Sequence, residues 1–245
     1  MGTFVLVAGA WHGGWVWERV AGPLRERGHR VSTPELAGVG ERAGELTPRV
    51  GLATHVDEVC AVLAEQGQGQ DEVVLVGHSY GGLVVWGAAD RMPDAVAHLV
   101  LVDGWIADDG ESLLSVVPQP LAQAMLGLAQ RGDGVGVPAP GPENFGVTDP
   151  ADAAWLVDRM TPHPLRTFTD PAQLTGAVDR VPGTALVCRP GNGAPFDQVA
   201  KEHGLPVVEL ASGHNVMVTA PDQVVRELLR VVSAAAVGPV ARDRG

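Results

Sequence analysis

The segment Gly77-His78-Ser79-Tyr80-Gly81-Gly82 carries the spacing G-x-S-x-G. Directly before it runs Glu72-Val-Val-Leu-Val76, the strongest strand pattern in the sequence, and from Tyr80 to Ala89 the pattern is helical. A residue on so sharp a strand-to-helix turn has backbone angles that crowd its neighbours. Glycine at 77 and 81 relieves the crowding and lets the Ser79 hydroxyl stand clear at the top of a sheet. The chemistry that follows is nucleophilic attack on an acyl carbon, with the free N–H groups of the following helix aimed at the place where negative charge develops. The same glycines could serve tight packing alone; the flanking strand and helix are what make the motif chemical.

A hydrolytic serine needs a base from elsewhere in the chain, and eight histidines are available. His29 and His98 lie beside predicted strands and His55 on a helix. His163 sits between prolines, and His203 lies near a helix end. His78 adjoins the nucleophile, but neighbours on such an elbow point apart, so it is assigned to packing. His214, in Ala211-Ser-Gly-His214-Asn between the last strand and the last helix, opens at the same sheet edge as Ser79 and is the expected base. A carboxylate must then hold the imidazole tautomer and offset its charge. The segment after the penultimate strand, Cys188-Arg-Pro-Gly-Asn192-Gly, has no acid. One strand earlier, Val100-Leu-Val-Asp103-Gly puts Asp103 at a strand's carboxyl end, and Asp103 is the expected third member. Asn192 as a neutral orienter and Asp197 stay open as alternatives, and Asp103 could also cap the chain where it leaves the sheet.

An oxyanion hole needs two converging backbone donors. Tyr80 supplies one N–H; the other is expected from Ala10 in the glycine loop after the first strand, with Trp11 the alternative, while the His12 ring ties that loop down. The loop lacks G-x-G-x-x-G spacing and a Walker lysine, so no nucleotide cofactor is expected, and no His/Cys cluster has metal-ligand spacing.

The elements that must position these groups alternate. Strands are expected at Thr3–Val7, His29–Ser32, Glu72–Val76, His98–Val102, Thr184–Cys188 and Pro206–Leu210. Helices are expected at Trp15–Arg27, Leu52–Glu65, Tyr80–Ala89 and from Pro221 to about Ala236. Continuous apolar strands interleaved with helices predict an α/β fold with a mostly parallel, doubly wound sheet covered on both faces. The alternation breaks between Asp103 and Val181, where helices near Leu113–Gln130 and Asp149–Met160 flank a Gly/Pro-rich joint at Gly132–Pro142. The expected organisation is therefore a core of residues 1–103 and 181–237, a helical lid over 104–180, and a frayed tail over 238–245. Trp11, His12 and Trp105, with Phe145, Trp155, Met160 and Phe168 from the lid, are candidate substrate contacts; Trp15, Trp17 and Trp86 are assigned to helix packing. With aromatic residues only 4% of the chain, this grouping suggests a small apolar or aromatic substrate, although each side chain could equally pack the lid onto the body.

The 245 residues carry 29 acidic and 17 basic side chains, a net charge of −12, and a single lysine, Lys201. That balance argues against a nucleic-acid partner, since a phosphate backbone is held by Lys and Arg. No stretch approaches the roughly 20 apolar residues that cross a bilayer. Met1–Ala10 has no basic leader, and Leu6 stands where a myristoylation site needs Ser or Thr. Cys60 and Cys188 read as buried thiols rather than a disulfide, so a cytoplasmic setting is expected. Monomer and homodimer remain open.

Taken together, Phe4-Val-Leu-Val-Ala-Gly-Ala-Trp-His-Gly-Gly-Trp15, Gly77-His-Ser-Tyr-Gly-Gly82 and Gly213-His214 make the sequence resemble the α/β-hydrolase superfamily. Within it, the chain is similar to the branch of plant methyl esterases and hydroxynitrile lyases. Bacterial esterase-like relatives are suggested by Leu36-Ala-Gly-Val-Gly-Glu-Arg42, by Leu101-Val-Asp-Gly-Trp105 with Asp108-Asp-Gly-Glu-Ser112, and by His163-Pro-Leu-Arg-Thr-Phe168. The resemblance implies an eight-stranded sheet with one antiparallel early strand, and a serine carboxylic ester hydrolase. The plant branch carries its aspartate after the penultimate strand, where Gly191 and Asn192 stand here. Hydroxynitrile lyases place threonine and lysine where this chain has Gly9 and Asn215, which disfavours cyanide release. Epoxide hydrolases and dehalogenases carry Asp where Ser79 stands. A cofactor-free lyase or other chemistry on the same triad, or a ligand-binding protein with weak turnover, remain the alternative readings.

Overall fold

The computed structural model describes residues 1–66 and 73–237. In chain order the elements are β1 (Thr3–Val7), α1 (Glu18–Glu26), β2 (Arg30–Ser32), α2 (Leu52–Gln66), β3 (Val73–His78), α3 (Gly81–Arg91) and β4 (Val96–Val102). An inserted segment follows, with α4 (Leu113–Val116), α5 (Gln119–Arg131), β5 (Gly136–Val137), α6 (Pro150–Val157), β6 (His163–Pro164) and α7 (Arg166–Thr169). The chain then returns through β7 (Gly183–Pro190), α8 (Phe196–Glu202), β8 (Val207–Ser212), α9 (Val216–Thr219) and α10 (Pro221–Val237).

Six strands form one sheet in the order β2-β1-β3-β4-β7-β8, and every pairing is parallel. β1 and β3 are buried along their whole length, as Val- and Leu-rich runs covered on both faces must be. Helix α1 packs with α10 and α2 with α3. The register brings His78 level with Val102 and Val102 level with Leu186. Ser79 and Asp103 therefore leave the sheet side by side, and all the loops at this rim follow carboxyl ends of strands.

Among the described residues the main sheet has six strands, all parallel, rather than the eight with one antiparallel early strand that the resemblance implies. The crossover through α1 returns the chain parallel to β1 as β2. The single helix expected near Leu113–Gln130 is two. Pro118 has no N–H to continue the ladder and pushes Val117 into extended geometry (φ −76°, ψ 155°), ending α4 before α5 begins. The second lid helix is shorter than expected at its carboxyl end, and starts where Asp149 accepts hydrogen bonds from Ala151 and Asp152 N–H. The insertion also holds an antiparallel ladder, β5 with β6, too short for sequence pattern to show. Glu72 and the tail over 238–245 lie outside the described residues. Among those described, no helix is long and apolar enough to cross a membrane.

Candidate active site

Ser79 is the one partly exposed residue in an otherwise buried run from Val73 to Asp90. Its φ is 52°, and the turn that forces this conformation is closed tightly. A Cβ on Gly77 would come within 2.5 Å of the Gly81 carbonyl oxygen, and one on Gly81 within 2.6 Å of the Ala8 oxygen. Among the described residues only Trp11 (φ 67°), Ser79 and Asp103 (φ 42°) hold non-glycine side chains on a left-handed backbone, and all three lie at this rim. Such a conformation costs on the order of 1–3 kcal/mol per residue and persists only where the surroundings impose it. At Ser79 and Asp103 the sheet ladder does so: Ser79 N–H bonds the Val102 carbonyl at 3.1 Å, and Asp103 N–H the Leu186 carbonyl at 2.8 Å.

His214 and Asp103 meet in the interior. His214 Nδ1 lies 2.9 Å from Asp103 Oδ2, and Asp103 Oδ1 accepts the Cys188 N–H at 2.8 Å. Both side chains are buried. The carboxylate thus fixes the imidazole with Nδ1 protonated and leaves Nε2 with its lone pair. The ring is nearly parallel to Phe196 (5.4 Å, 7°) and Phe145 (6.4 Å, 20°), and its backbone carbonyl accepts His78 Nε2–H at 3.1 Å. His78 therefore packs beneath the pair, as expected for it. The other acids considered lie elsewhere. Asp197 is bound to Arg189 (3.0 Å) and Lys201 (3.1 Å), which pull its carboxyl down to about 2, and exposed Asn192 accepts Ala194 N–H.

Two backbone donors at the rim are free. Among the described residues neither Ala10 N–H nor Tyr80 N–H has a protein acceptor, whereas Trp11 N–H is taken by His163 Nδ1 at 3.2 Å. The Tyr80 side chain runs into the core, where its O–H donates to His55 Nδ1 at 2.9 Å while His55 Nε2–H donates to the Ala37 carbonyl at 2.8 Å. Burial pushes the Tyr80 phenol up, so it stays a neutral anchor for the residue whose N–H faces outward.

The aromatic candidates divide. Trp11, Trp105 and Phe145 gather near the pair: Phe145 lies 5.8 Å from Trp11, and Trp105 packs 4.6 Å from Phe196. Phe168 is fully buried behind them, stacked on His163 at 4.7 Å. Met160 is partly buried against the core. His12 has both ring nitrogens committed to protein, Nδ1–H to the Ala10 carbonyl (2.7 Å) and Nε2 to Asn215 Nδ2–H (3.1 Å), so it braces the loop. Burial lowers its pKa to about 4. Trp155 is half-buried against the core, edge-on to Trp15 at 5.0 Å with the Arg19 and Arg159 guanidinium groups over its ring. Phe196, on an unforeseen helix, escaped the sequence reading of the site. Asn215 entered it only as the place of a lyase lysine, and His163 only as a histidine between prolines and within a motif of likeness. Cys60 and Cys188 are free thiols, and burial raises both.

A family model described as the alpha/beta hydrolase family matches residues 4–227. The chain is 36% identical over 242 residues to a carbendazim hydrolyzing esterase of Nocardioides sp. (strain SG-4G), covering 93% of this chain and 98% of that one. It is 35% identical over 122 residues to methylesterase 2 of Arabidopsis thaliana, covering 50% of this chain and 46% of the relative. Among solved structures, an extracellular α/β-hydrolase from a Paenibacillus species matches with a TM-score of 0.84 at 22% identity, over 94% of this chain and 99% of that chain. That last likeness speaks to the fold.

Proposed function

The chain belongs to the α/β hydrolase family and is a carboxylic ester hydrolase, and we propose that it works through an acyl-enzyme on Ser79. The observation that carries the reading is the buried 2.9 Å contact of His214 Nδ1 with Asp103 Oδ2 at the rim where Ser79 is held in its strained turn. Ser79 Oγ attacks the ester carbonyl as His214 Nε2 takes its proton, and Asp103 offsets the charge of the imidazolium. The carbonyl oxygen becomes an oxyanion held by the N–H groups of Ala10 and Tyr80. The tetrahedral intermediate collapses, His214 returns the proton to the leaving alcohol, and acyl-Ser79 remains. Water, deprotonated by His214, repeats the sequence and releases the acid.

The substrate is an ester of a small apolar or aromatic molecule. Trp11, Trp105, Phe145 and Phe196 support this, because they leave apolar and aromatic surface around His214 rather than charge. The Nocardioides relative is named for carbendazim and the Arabidopsis relative for methyl esters, which favours a small leaving alcohol. Asn215, engaged with His12 beside His214, offers no cation for a leaving cyanide, so hydrolysis is preferred to lyase chemistry. Substituting Ser79→Ala is expected to abolish both the burst with p-nitrophenyl esters and labelling by a fluorophosphonate, with the melting temperature retained. Turnover that survives in this variant would overturn the nucleophile assignment.

A further inference from the structure

Trp11 is the non-glycine residue with the largest positive φ among those described, and each of its polar groups is bonded to the inserted segment. Its N–H donates to His163 Nδ1 at 3.2 Å, its indole Nε1–H to the Val137 carbonyl at 2.9 Å, and its carbonyl accepts Thr161 N–H at 3.1 Å. Val137 and His163 are paired across the β5–β6 ladder, so the grip comes from adjoining residues of the inserted segment. The same peptide unit is held from its other end, because the Ala10 carbonyl accepts His12 Nδ1–H, and His12 is braced in turn by Asn215, the neighbour of His214. One peptide further back, the Gly9 carbonyl accepts His12 N–H at 3.4 Å.

Both peptide planes that flank the Ala10 Cα are thus pinned. Since a peptide is planar, fixing them fixes the direction of the Ala10 N–H. The two histidines must hold opposite tautomers, with the proton on Nδ1 in His12 and on Nε2 in His163. His163 is fully buried and its Nε2 has no partner. The hydrogen bond this buried ring makes is the one that Nδ1 accepts from Trp11 N–H. Burial holds its pKa well below the ordinary value, which keeps the Nδ1 lone pair available to Trp11.

We propose that His163 is a positioning residue, which from the lid and through Trp11 N–H sets the aim of Ala10 N–H as oxyanion donor. The oxyanion loop is then completed by the lid and not by the sheet alone. The inference rests on the acyl-enzyme reading given above.

The test compares H163N with H163Q, with active sites counted by fluorophosphonate labelling so that misfolded protein does not enter. Asparagine sets its amide oxygen near the place of Nδ1, whereas glutamine reaches toward Nε2 and leaves Trp11 N–H bare. H163Q is expected to lower kcat by about 30-fold with KM within about twofold, and to weaken an aryl trifluoromethyl ketone, whose adduct on Ser79 carries an oxyanion, by a similar factor. H163N is expected to stay within about fivefold of the parent on both measures. Equal losses in the two variants, or losses confined to KM with the ketone unaffected, would overturn the proposal. Hydrogen exchange on the unmodified protein tests it without substitution: the Trp11 amide and indole N–H should be protected like β1, and fast exchange at either rejects the clamp. Failure of the acyl-enzyme reading shows differently, as a parent protein that neither labels nor binds the ketone.

Discussion

The rim of the sheet and the segment inserted between β4 and β7 are built by different means. At the rim, position comes from strand register: parallel ladders carry Ser79, Asp103 and His214 to one edge, and ladder hydrogen bonds impose the strained turns. The inserted segment has short helices and a ladder of two residues per strand, and it is held to the body by individual polar and aromatic contacts. Trp11 with His163 and Val137 is one set; the Phe145 carbonyl with Asn215 N–H (3.0 Å) and Asp90 with Thr175 and Val178 are others. The difference teaches that the sheet fixes the candidate catalytic groups cooperatively through its ladders, whereas the inserted segment depends on particular residues.

The largest effect that could break this contrast is expected at Asp103. Asp103→Asn keeps the volume but no longer selects the tautomer of His214, and should lower kcat by about 10³–10⁴-fold at neutral pH. Asp197→Asn, by comparison, should change kcat by less than about twofold, since Asp197 spends its charge on exposed Arg189 and Lys201. Steady-state kinetics on both variants decides it, and the opposite ranking would move the orienting acid to the loop after β7.

A smaller effect should appear as acid sensitivity of the whole fold. His12, His55, His78 and His163 are all buried with pKa values pushed down mainly by burial, so the folded state keeps them neutral while the unfolded chain binds protons. A depressed folded-state value means stability is intact above the unfolded value of 6.5 and falls as pH drops from there toward the folded value, about 4 for His12. By pH 4 His12 alone should cost on the order of 3 kcal/mol. Urea midpoints between pH 7.5 and 4.5 measure the slope; a flat profile would mean these rings are hydrated and do not brace the loops.

The smallest effect is expected at Trp155, a candidate substrate contact that packs half-buried on Trp15 beneath two guanidinium groups. Trp155→Ala should cost about 1 kcal/mol from lost ring and guanidinium contacts while leaving kcat/KM within about twofold. A large rise in KM would return Trp155 to the pocket and sharpen the assignment of the lid's inner wall.

Much of the fold was legible because the core strands announce themselves. Val73 to Val76 and Leu99 to Val102 are unbroken apolar runs, and a run buried on both faces has few alternatives to a parallel sheet. Ser79 and His214, which follow the ends of strands, could be singled out as candidates from position. The choice among Asp103, Asn192 and Asp197 could not, since it depends on which loop bends toward the imidazole. His163 was passed over because a histidine between two prolines carries no periodic signal, and its partner is a backbone N–H far away in sequence. Aromatic character does not say what a ring packs on, so the bracing of His12 by Ala10 and Asn215 and the packing of Trp155 on Trp15 were not legible.

By itself the sequence determined the alternation of strands and helices, the edge where the reacting groups gather, and the glycines without which the Ser79 turn cannot close. Those follow from local sterics and burial, which each stretch of chain carries with it. Only the tertiary structure decided that Asp103 reaches His214, that two of the remaining histidines hold one peptide from opposite ends, and that Phe145 stacks beside His214 while Trp155 packs on Trp15. Such pairings join residues distant in sequence through directional hydrogen bonds and ring contacts, and their geometry exists only once the layers have packed.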